Sequence, residues 1–251
     1  MGKLYVVGFG PGGYEHMTVK AVEVIKKADV VTGYTTYVEM LKEFFPDKHY
    51  IATPMMQEVK RCEMAVEEAQ KDQTVAMVSS GDSGIYGMAG IIYQVAAEKH
   101  ADIEIETVPG VTAASAAASV LGAPLMHDFA VISLSDLMTP LDLIMKRVDC
   151  AGQGDFIVCL YNPKSKKRVD YVEKAADILM KYRDADTPVG VVRHAGREEE
   201  SSFITTLGEL KNASIDMFSI VIIGNSNTYV RDGKMITPRG YEDKYGFANI
   251  D

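Results

Sequence analysis

Short apolar, β-branched runs alternate along this chain with segments of helical spacing, and that alternation limits the fold more than any other feature. KLYVVGF (Lys3 to Phe9) has the composition of a buried strand. Thr18 then stands where an N-cap belongs, ahead of Ala21, Val22, Ile25 and Ala28 at helical spacing. DVVTG (Asp29 to Gly33) is a second strand, and Val59, Cys62, Val66 and Ala69 mark another helix. TVAMVSSGD (Thr74 to Asp82) is a strand that runs into a polar glycine turn, Ile85 to Ala97 is helical, and IEIETVPG alternates before breaking at Pro109-Gly110. Strand and helix in turn predict an α/β fold with a largely parallel sheet.

After an alanine-rich helix from Thr112, stopped by Gly122, the rhythm restarts. AVISLSD, DFIVCLYN, TPVGVVRHAG, SFITTL and FSIVIIGN are strand candidates, with helices around Pro140 to Val148 and Arg168 to Tyr182. The pattern predicts two α/β domains, 1–115 and 116–251, both with mostly parallel sheets, and a polar, loosely packed tail after Tyr229. No repeat or low-complexity segment is visible.

A chain of 251 residues is long enough for one large domain or two ordinary ones. With 47% hydrophobic and 24% charged residues it is not a disordered chain. A formal charge of −9 argues against a nucleic-acid binder, though it leaves room for a local basic patch. No apolar run approaches the roughly 18 residues of a membrane span, and the N-terminus enters a strand without the features of a signal peptide. A cytoplasmic protein is expected. Cys62, Cys150 and Cys159 stand apart with no C-x-x-C spacing, so neither a disulfide framework nor a zinc site is expected, and they are read as small buried hydrophobes.

Ligands of open α/β sheets sit beyond the carboxyl ends of the strands. Here those ends carry Gly8-Phe9-Gly10-Pro11-Gly12, Ser79-Ser80-Gly81-Asp82 and Val108-Pro109-Gly110-Val111-Thr112. Gly8, Gly10 and Gly13 match G-x-G-x-x-G literally. A dinucleotide turn, however, needs its helix to begin at the glycines, so that helix amides face the pyrophosphate. The Thr18 cap comes too late for that, Pro11 removes an amide, and no acid ends the second strand. A nicotinamide-binding reading is therefore disfavoured.

GFGPGG, SSGDSGIYGM and VPGVTAASAAASVLGAPL together resemble the tetrapyrrole methyltransferases that use S-adenosylmethionine. HDFAVISLSDLMTP, YNPKSKKR and VRHAGREEE extend the resemblance, which runs from Lys3 to about Asn227. The resemblance implies two α/β domains with the cofactor in the cleft between them, and a homodimer. The implied reaction moves a methyl group to carbon 17 of precorrin-3B or its cobalt-bearing counterpart, releases S-adenosylhomocysteine, and accompanies contraction of the ring. No resident metal is implied. Ser83 stands where the family's glycine-aspartate turn usually continues with proline. A sister methylase acting at another ring carbon, and a non-catalytic tetrapyrrole-binding protein, stay open as alternatives.

The resemblance carries cofactor contacts onto Pro11, Gly81, Asp82, Ile85, Thr112 and Ala113, and in the second domain onto Tyr161, Asn162, Ala195 and Asn225. Asp82 offers a carboxylate to hydroxyl or ammonium donors. The substrate carries several carboxylates, and Lys164, Arg168 and Arg193 are the cations placed to bind them. Ring contraction needs proton movement, for which His127, Asp136 and His194 are the nearest titratable residues.

Overall fold

The computed structural model describes residues 1–246. The chain divides into two compact units, Met1–Ala113 and Ala114–Asp251.

The N-terminal unit alternates strand and helix in the order β1 (Lys3–Gly8), α1 (Val19–Lys27), β2 (Val30–Tyr34), α2 (Thr35–Lys42), β3 (His49–Thr53), α3 (Glu58–Ala69), β4 (Thr74–Ser79), α4 (Ala89–Glu98) and β5 (Glu104–Val108). The strands form one sheet in the order β3-β2-β4-β1-β5, and all four ladders are parallel. Successive side chains on β1 serve opposite faces. Leu4 and Val6 pack with Cys62, Val66 and Ile92 of α3 and α4. Val7 and Phe9 pack with Ala21, Ile25 and Leu41 of α1 and α2. Burial on both faces is why these strands read as continuous apolar runs. Thr18 caps α1, its hydroxyl accepting the Ala21 amide at 3.1 Å.

Two details differ from the sequence expectation. The helix expected from Ile85 starts only at Ala89. Tyr86 is left-handed at φ 55°, and a side chain at Gly87 would lie 2.5 Å from the Ser83 carbonyl oxygen, so the segment after Asp82 is a tight loop. Strand β3 and helix α2 had no expectation; β3 sits at the sheet edge with a half-exposed sequence and therefore little periodic signal.

The C-terminal unit contains α5 (Ala113–Leu121), β6 (Gly122–Ala123), β7 (Phe129–Ser133), α6 (Leu141–Gln153), β8 (Ile157–Tyr161), α7 (Tyr171–Leu179), β9 (Pro188–Arg193), β10 (Ser201–Thr206), β11 (Ser219–Ile223), β12 (Tyr229–Arg231), β13 (Lys234–Ile236) and α8 (Tyr241–Tyr245). Gly122 stops α5 at φ +128°, a conformation glycine adopts without strain. The main sheet has the order β10-β9-β11-β8-β7. Only β7–β8 is parallel there; β8–β11, β11–β9 and β9–β10 are antiparallel. Over the three sheets six of the ten ladders are parallel, and the antiparallel ones lie in this unit. One face packs Val158, Leu160, Val191 and Val221 against Ile144, Val148, Ala176 and Leu179 of α6 and α7. On the other, Leu121 of α5 lies so close over Gly190 that an added Cβ would meet its Cδ1 at 2.3 Å. Arg183 is buried and donates to the carbonyls of Gly224, Ala151 and Phe156, joining the ends of α6 and β11.

The tail is better packed than its polarity predicts. β12 and β13 form a hairpin, β13 pairs with β6, and Met235 and Thr237 are buried. Cys62 and Cys159 are buried, and burial pushes both thiols up to about 12; Cys150 is exposed, contrary to expectation. Among the described residues no helix is long and apolar enough to cross a membrane.

Candidate functional site

All strands of the first sheet point one way, so the loops after β1, β4 and β5 share one edge. Register brings them together, with Gly8 opposite Ser79 and Val7 opposite Val108. Gly10 and Gly81 exchange backbone hydrogen bonds, Gly10 N to Gly81 O at 3.1 Å and Gly81 N to Gly10 O at 2.7 Å. Both sit at positive φ, +86° and +71°. A Cβ at Gly8 would lie 2.6 Å from the Gly81 oxygen. At Gly110 it would lie 2.2 Å from the Gly81 oxygen and 2.5 Å from that of Gly8. These glycines exist so that three turns can interlock backbone on backbone. A 3-10 turn, Tyr14–His16, separates them from α1, so no helix N-terminus faces the opening glycines and the dinucleotide geometry is absent.

Asp82 clamps the assembly. Its Oδ1 accepts the amides of Gly84 at 2.8 Å and Ile85 at 3.2 Å, and its Oδ2 accepts the Gly110 amide at 2.9 Å. Ser83, buried, donates to the Val108 carbonyl at 3.2 Å, a link that proline could not make. Thr112 and Ala113 lie against Gly81, about 3.9 and 3.8 Å from where its Cβ would be. Pro11, Gly81, Asp82, Ile85, Thr112 and Ala113 thus share one edge. Ile85 belongs to the loop, not to a helix start as expected.

The second sheet is different, because its antiparallel strands send loops to both edges. The carboxyl ends of β7, β8 and β9 share one edge, with Ser133 opposite Tyr161. The Tyr161 hydroxyl, buried, accepts the Ala114 amide at 2.8 Å, satisfying a donor at the start of α5. Asn162, at φ 51°, donates from Nδ2 to the Ser133 hydroxyl at 3.0 Å. Asp136 accepts the Tyr171 hydroxyl at 2.7 Å and faces Arg168 Nη1 at 3.8 Å; that hydrogen bond raises the Tyr171 phenol above its ordinary value. Arg193 donates from Nε to Asp216 Oδ2 at 2.6 Å. Burial pushes Asp216 up, but Arg193, the Phe218 amide and the Ser219 hydroxyl outweigh it and hold the carboxyl below its usual range. His194 is left-handed at φ 52° and stands edge-on to Phe218. Its Nδ1 lies 3.0 Å from Glu199 Oε2, and its Nε2 is buried with no partner. Asp136, Tyr161, Asn162, Lys164, Arg168, Arg193, His194 and Ala195 therefore belong to one edge.

His127 and Asn225 lie at the other edge of this sheet. His127 precedes β7, at the opposite edge, with its exposed ring accepting the Asp128 amide at 2.9 Å. Asn225 follows β11, which runs antiparallel to β8 and β9, so it also lies at the opposite edge. There its side-chain oxygen accepts from the Asn227 amide and the Thr228 hydroxyl, both at 3.1 Å, and it is buried as a turn residue.

Sequence reasoning missed Ser133, Tyr171, Glu199 and Arg61. Ser133 and Tyr171 pair with residues 29 and 35 positions away, which nothing local announces, whereas Glu199 pairs with His194 five positions before it. Arg61 did carry a signal, since it falls on the α3 stripe with Ala65 and Ala69 at spacings of four, where a charge is out of place. Among the described residues no three His, Cys, Asp or Glu side chains cluster as metal ligands.

A parallel sheet edge lined by interlocked glycine turns in one unit, and in the other an edge carrying Lys164, Arg168, Arg193 and the His194–Glu199 pair, mark a two-unit α/β protein. The chain matches the family of Tetrapyrrole (Corrin/Porphyrin) Methylases over residues 3–211, and it belongs to that family. It is 50% identical over 238 residues to the probable cobalt-factor III C(17)-methyltransferase of Salmonella typhimurium, an alignment covering 95% of this chain and 99% of that protein. It is 38% identical over 248 residues to the precorrin-3B C(17)-methyltransferase of a Sinorhizobium species, covering 96% and 97%. Among solved structures, that of the methyltransferase CobJ has a TM-score of 0.87 at 31% identity, covering 95% of this chain and all of CobJ.

Proposed function

We propose that this chain transfers a methyl group from S-adenosylmethionine to carbon 17 of cobalt-factor III or a precorrin-3B-type macrocycle, and that it promotes ring contraction. The observation that carries the reading is identity of 50% across 95% of the chain with a relative named for that reaction. Identity is lower to the relative named for precorrin-3B, which favours the cobalt-bearing substrate. The family resemblance carries with it a homodimer.

S-adenosylmethionine supplies a methyl group on a sulfonium that is its own leaving group; the bond to ring carbon forms as the bond to sulfur breaks, and the electron pair leaves with sulfur. The N-terminal edge suits this cofactor. Its turns are backbone-lined, and Asp82 Oδ2 accepts one amide and retains acceptor capacity for a hydroxyl or ammonium. We assign Pro11, Gly81, Asp82, Ile85, Thr112 and Ala113 to cofactor binding. Such a displacement needs alignment and exclusion of water, not an acid–base dyad. Lys164, Arg168 and Arg193 are assigned to the substrate's carboxylates. His194 is assigned to proton transfer, Glu199 fixing the proton on Nδ1 and leaving Nε2 as the working nitrogen. Asp136, held by Tyr171 and Arg168, is assigned to positioning Arg168.

The test is incubation with isotope-labelled S-adenosylmethionine and, separately, cobalt-factor III and precorrin-3B, with the label located by NMR. One labelled methyl at carbon 17 of a ring-contracted product is expected, faster with cobalt-factor III. Transfer to another carbon, or none to either macrocycle, contradicts the proposal.

A further inference from the structure

The first unit contains a buried cation that the assignments above leave unused. Arg61 is 4% exposed, and its guanidinium reaches the carboxyl edge of the first sheet. It meets Thr53, the last residue of β3, through Nε to the hydroxyl at 2.8 Å and Nη2 to the carbonyl at 3.5 Å. Nη2 also donates to the Pro54 carbonyl at 3.1 Å. The ring of Tyr34, the last residue of β2, lies 5.8 Å away. Among the described residues Nη1, with two protons, meets only the Met88 sulfur at 4.0 Å, a weak acceptor. Among the described residues no carboxylate lies within 4.0 Å of it, and Glu58 acts only from longer range. Burial draws the guanidinium below its ordinary value.

Arg183 in the second unit makes the contrast. It is equally buried, but its Nη groups are taken up by three carbonyls, and Asp155 stands 3.8 Å from Nε as a counter-charge. Arg183 has what a structural clamp needs. Arg61 lacks the counter-charge, and a desolvated cation without an anion is costly to keep. It also sits on the edge where ligands of parallel sheets bind. Met88 is unbranched and flexible, suited to cover Nη1 and swing away from it. Met55, Met56 and Tyr86 expose large apolar side chains in the loops after β3 and β4, the strand ends at this edge. A buried cation on an edge whose loops expose apolar side chains fits an apolar body bearing an acid arm.

We propose that Arg61 is a carboxylate-recognition residue for the methyl-transfer reaction, with Met88 as its displaceable cover. The inference rests on the proposed function. The carboxylate belongs either to an acid arm of the macrocycle or to the amino-acid end of the cofactor, and the two arms of the test separate these sources.

The test uses Arg61→Met, which removes the charge at similar volume, and measures unfolding temperature, S-adenosylhomocysteine affinity, and KM and kcat for the macrocycle. The variant is expected to fold with a lowered unfolding temperature, because it strands the buried hydroxyl and carbonyl of Thr53 that Arg61 now satisfies. A rise of roughly tenfold in macrocycle KM with cofactor affinity intact assigns the substrate arm; a rise of roughly tenfold in the S-adenosylhomocysteine Kd assigns the cofactor. Arg61→Lys, which keeps the charge but not the fork, is expected to recover part of the loss. If Arg61→Met does not fold, Met88→Glu gives the second reading: a carboxylate placed on Nη1 is expected to raise the same constant. Unchanged KM and Kd in these variants overturn the inference while leaving the function standing. A parent protein that binds S-adenosylhomocysteine but methylates neither macrocycle ends the functional reading and this inference with it.

Discussion

The two sheet edges solve the same problem with different materials. In the N-terminal unit the edge is made of backbone: Gly8, Gly10, Gly81 and Gly110 let three turns interlock, with Asp82 holding their amides. In the C-terminal unit the edge is made of side-chain pairs: Asn162 with Ser133, Asp136 with Tyr171 and Arg168, Arg193 with Asp216, and His194 with Glu199. Backbone fixes a shape: a Cβ added at Gly8, Gly10 or Gly110 collides with backbone that cannot yield, and Gly81 is held at a positive φ that a side chain would strain. Side chains set a pattern of charge that can be edited one group at a time. The first suits a constant cofactor, and the second suits discrimination among substrates on one scaffold.

The contrast is sharpest at Gly110. Gly110→Ala drives a methyl into two carbonyl oxygens and is expected to cost about 3 kcal/mol or more, seen as a large fall in the N-terminal unit's unfolding temperature. An unchanged unfolding temperature would mean that the turns are not interlocked. Tyr161→Phe strands the buried Ala114 amide and is expected to cost about 1–3 kcal/mol in chemical denaturation. Asp82→Asn keeps one acceptor and loses the other. It is expected to cost about 1 kcal/mol and to weaken S-adenosylhomocysteine binding more than that loss explains, so that a stability change with unaltered affinity would leave Asp82 as a clamp alone.

The smallest effect is a pH dependence of the second edge. Asp216 titrates below its ordinary value when folded, so its contribution to stability is complete above that value of about 3.9 and is lost as pH falls through the folded one. Arg193→Met should flatten this acid limb, which unfolding curves between neutral and strongly acidic pH would reveal. An identical limb in the variant would detach Arg193 from Asp216.

The same difference decides what the sequence made legible. In the first unit all strands run one way, so every residue that follows a strand reaches the same edge, and chain order alone grouped Pro11, Gly81, Asp82 and Thr112. In the second unit direction alternates, and chain order cannot say which edge a loop occupies: Asn225, after β11, and His127, before β7, lie at the edge opposite the loops after β7, β8 and β9. Pairs such as Tyr161 with Ala114, 47 positions apart, leave no local trace. The late start of α4 and the packed hairpin after Asn227 were hidden for another reason: glycines and polar residues mark where a chain turns, not whether the turn is packed.

As proposed, the glycine-locked edge holds S-adenosylmethionine, and its geometry is not that of a dinucleotide turn. The most direct measurement is calorimetric titration of the purified protein with S-adenosylhomocysteine, and in parallel with NAD. Micromolar binding of S-adenosylhomocysteine and none of NAD is the expected result. Binding of NAD alone would contradict the account, because the Gly8-x-Gly10 turn would then hold a pyrophosphate without a helix N-terminus behind it.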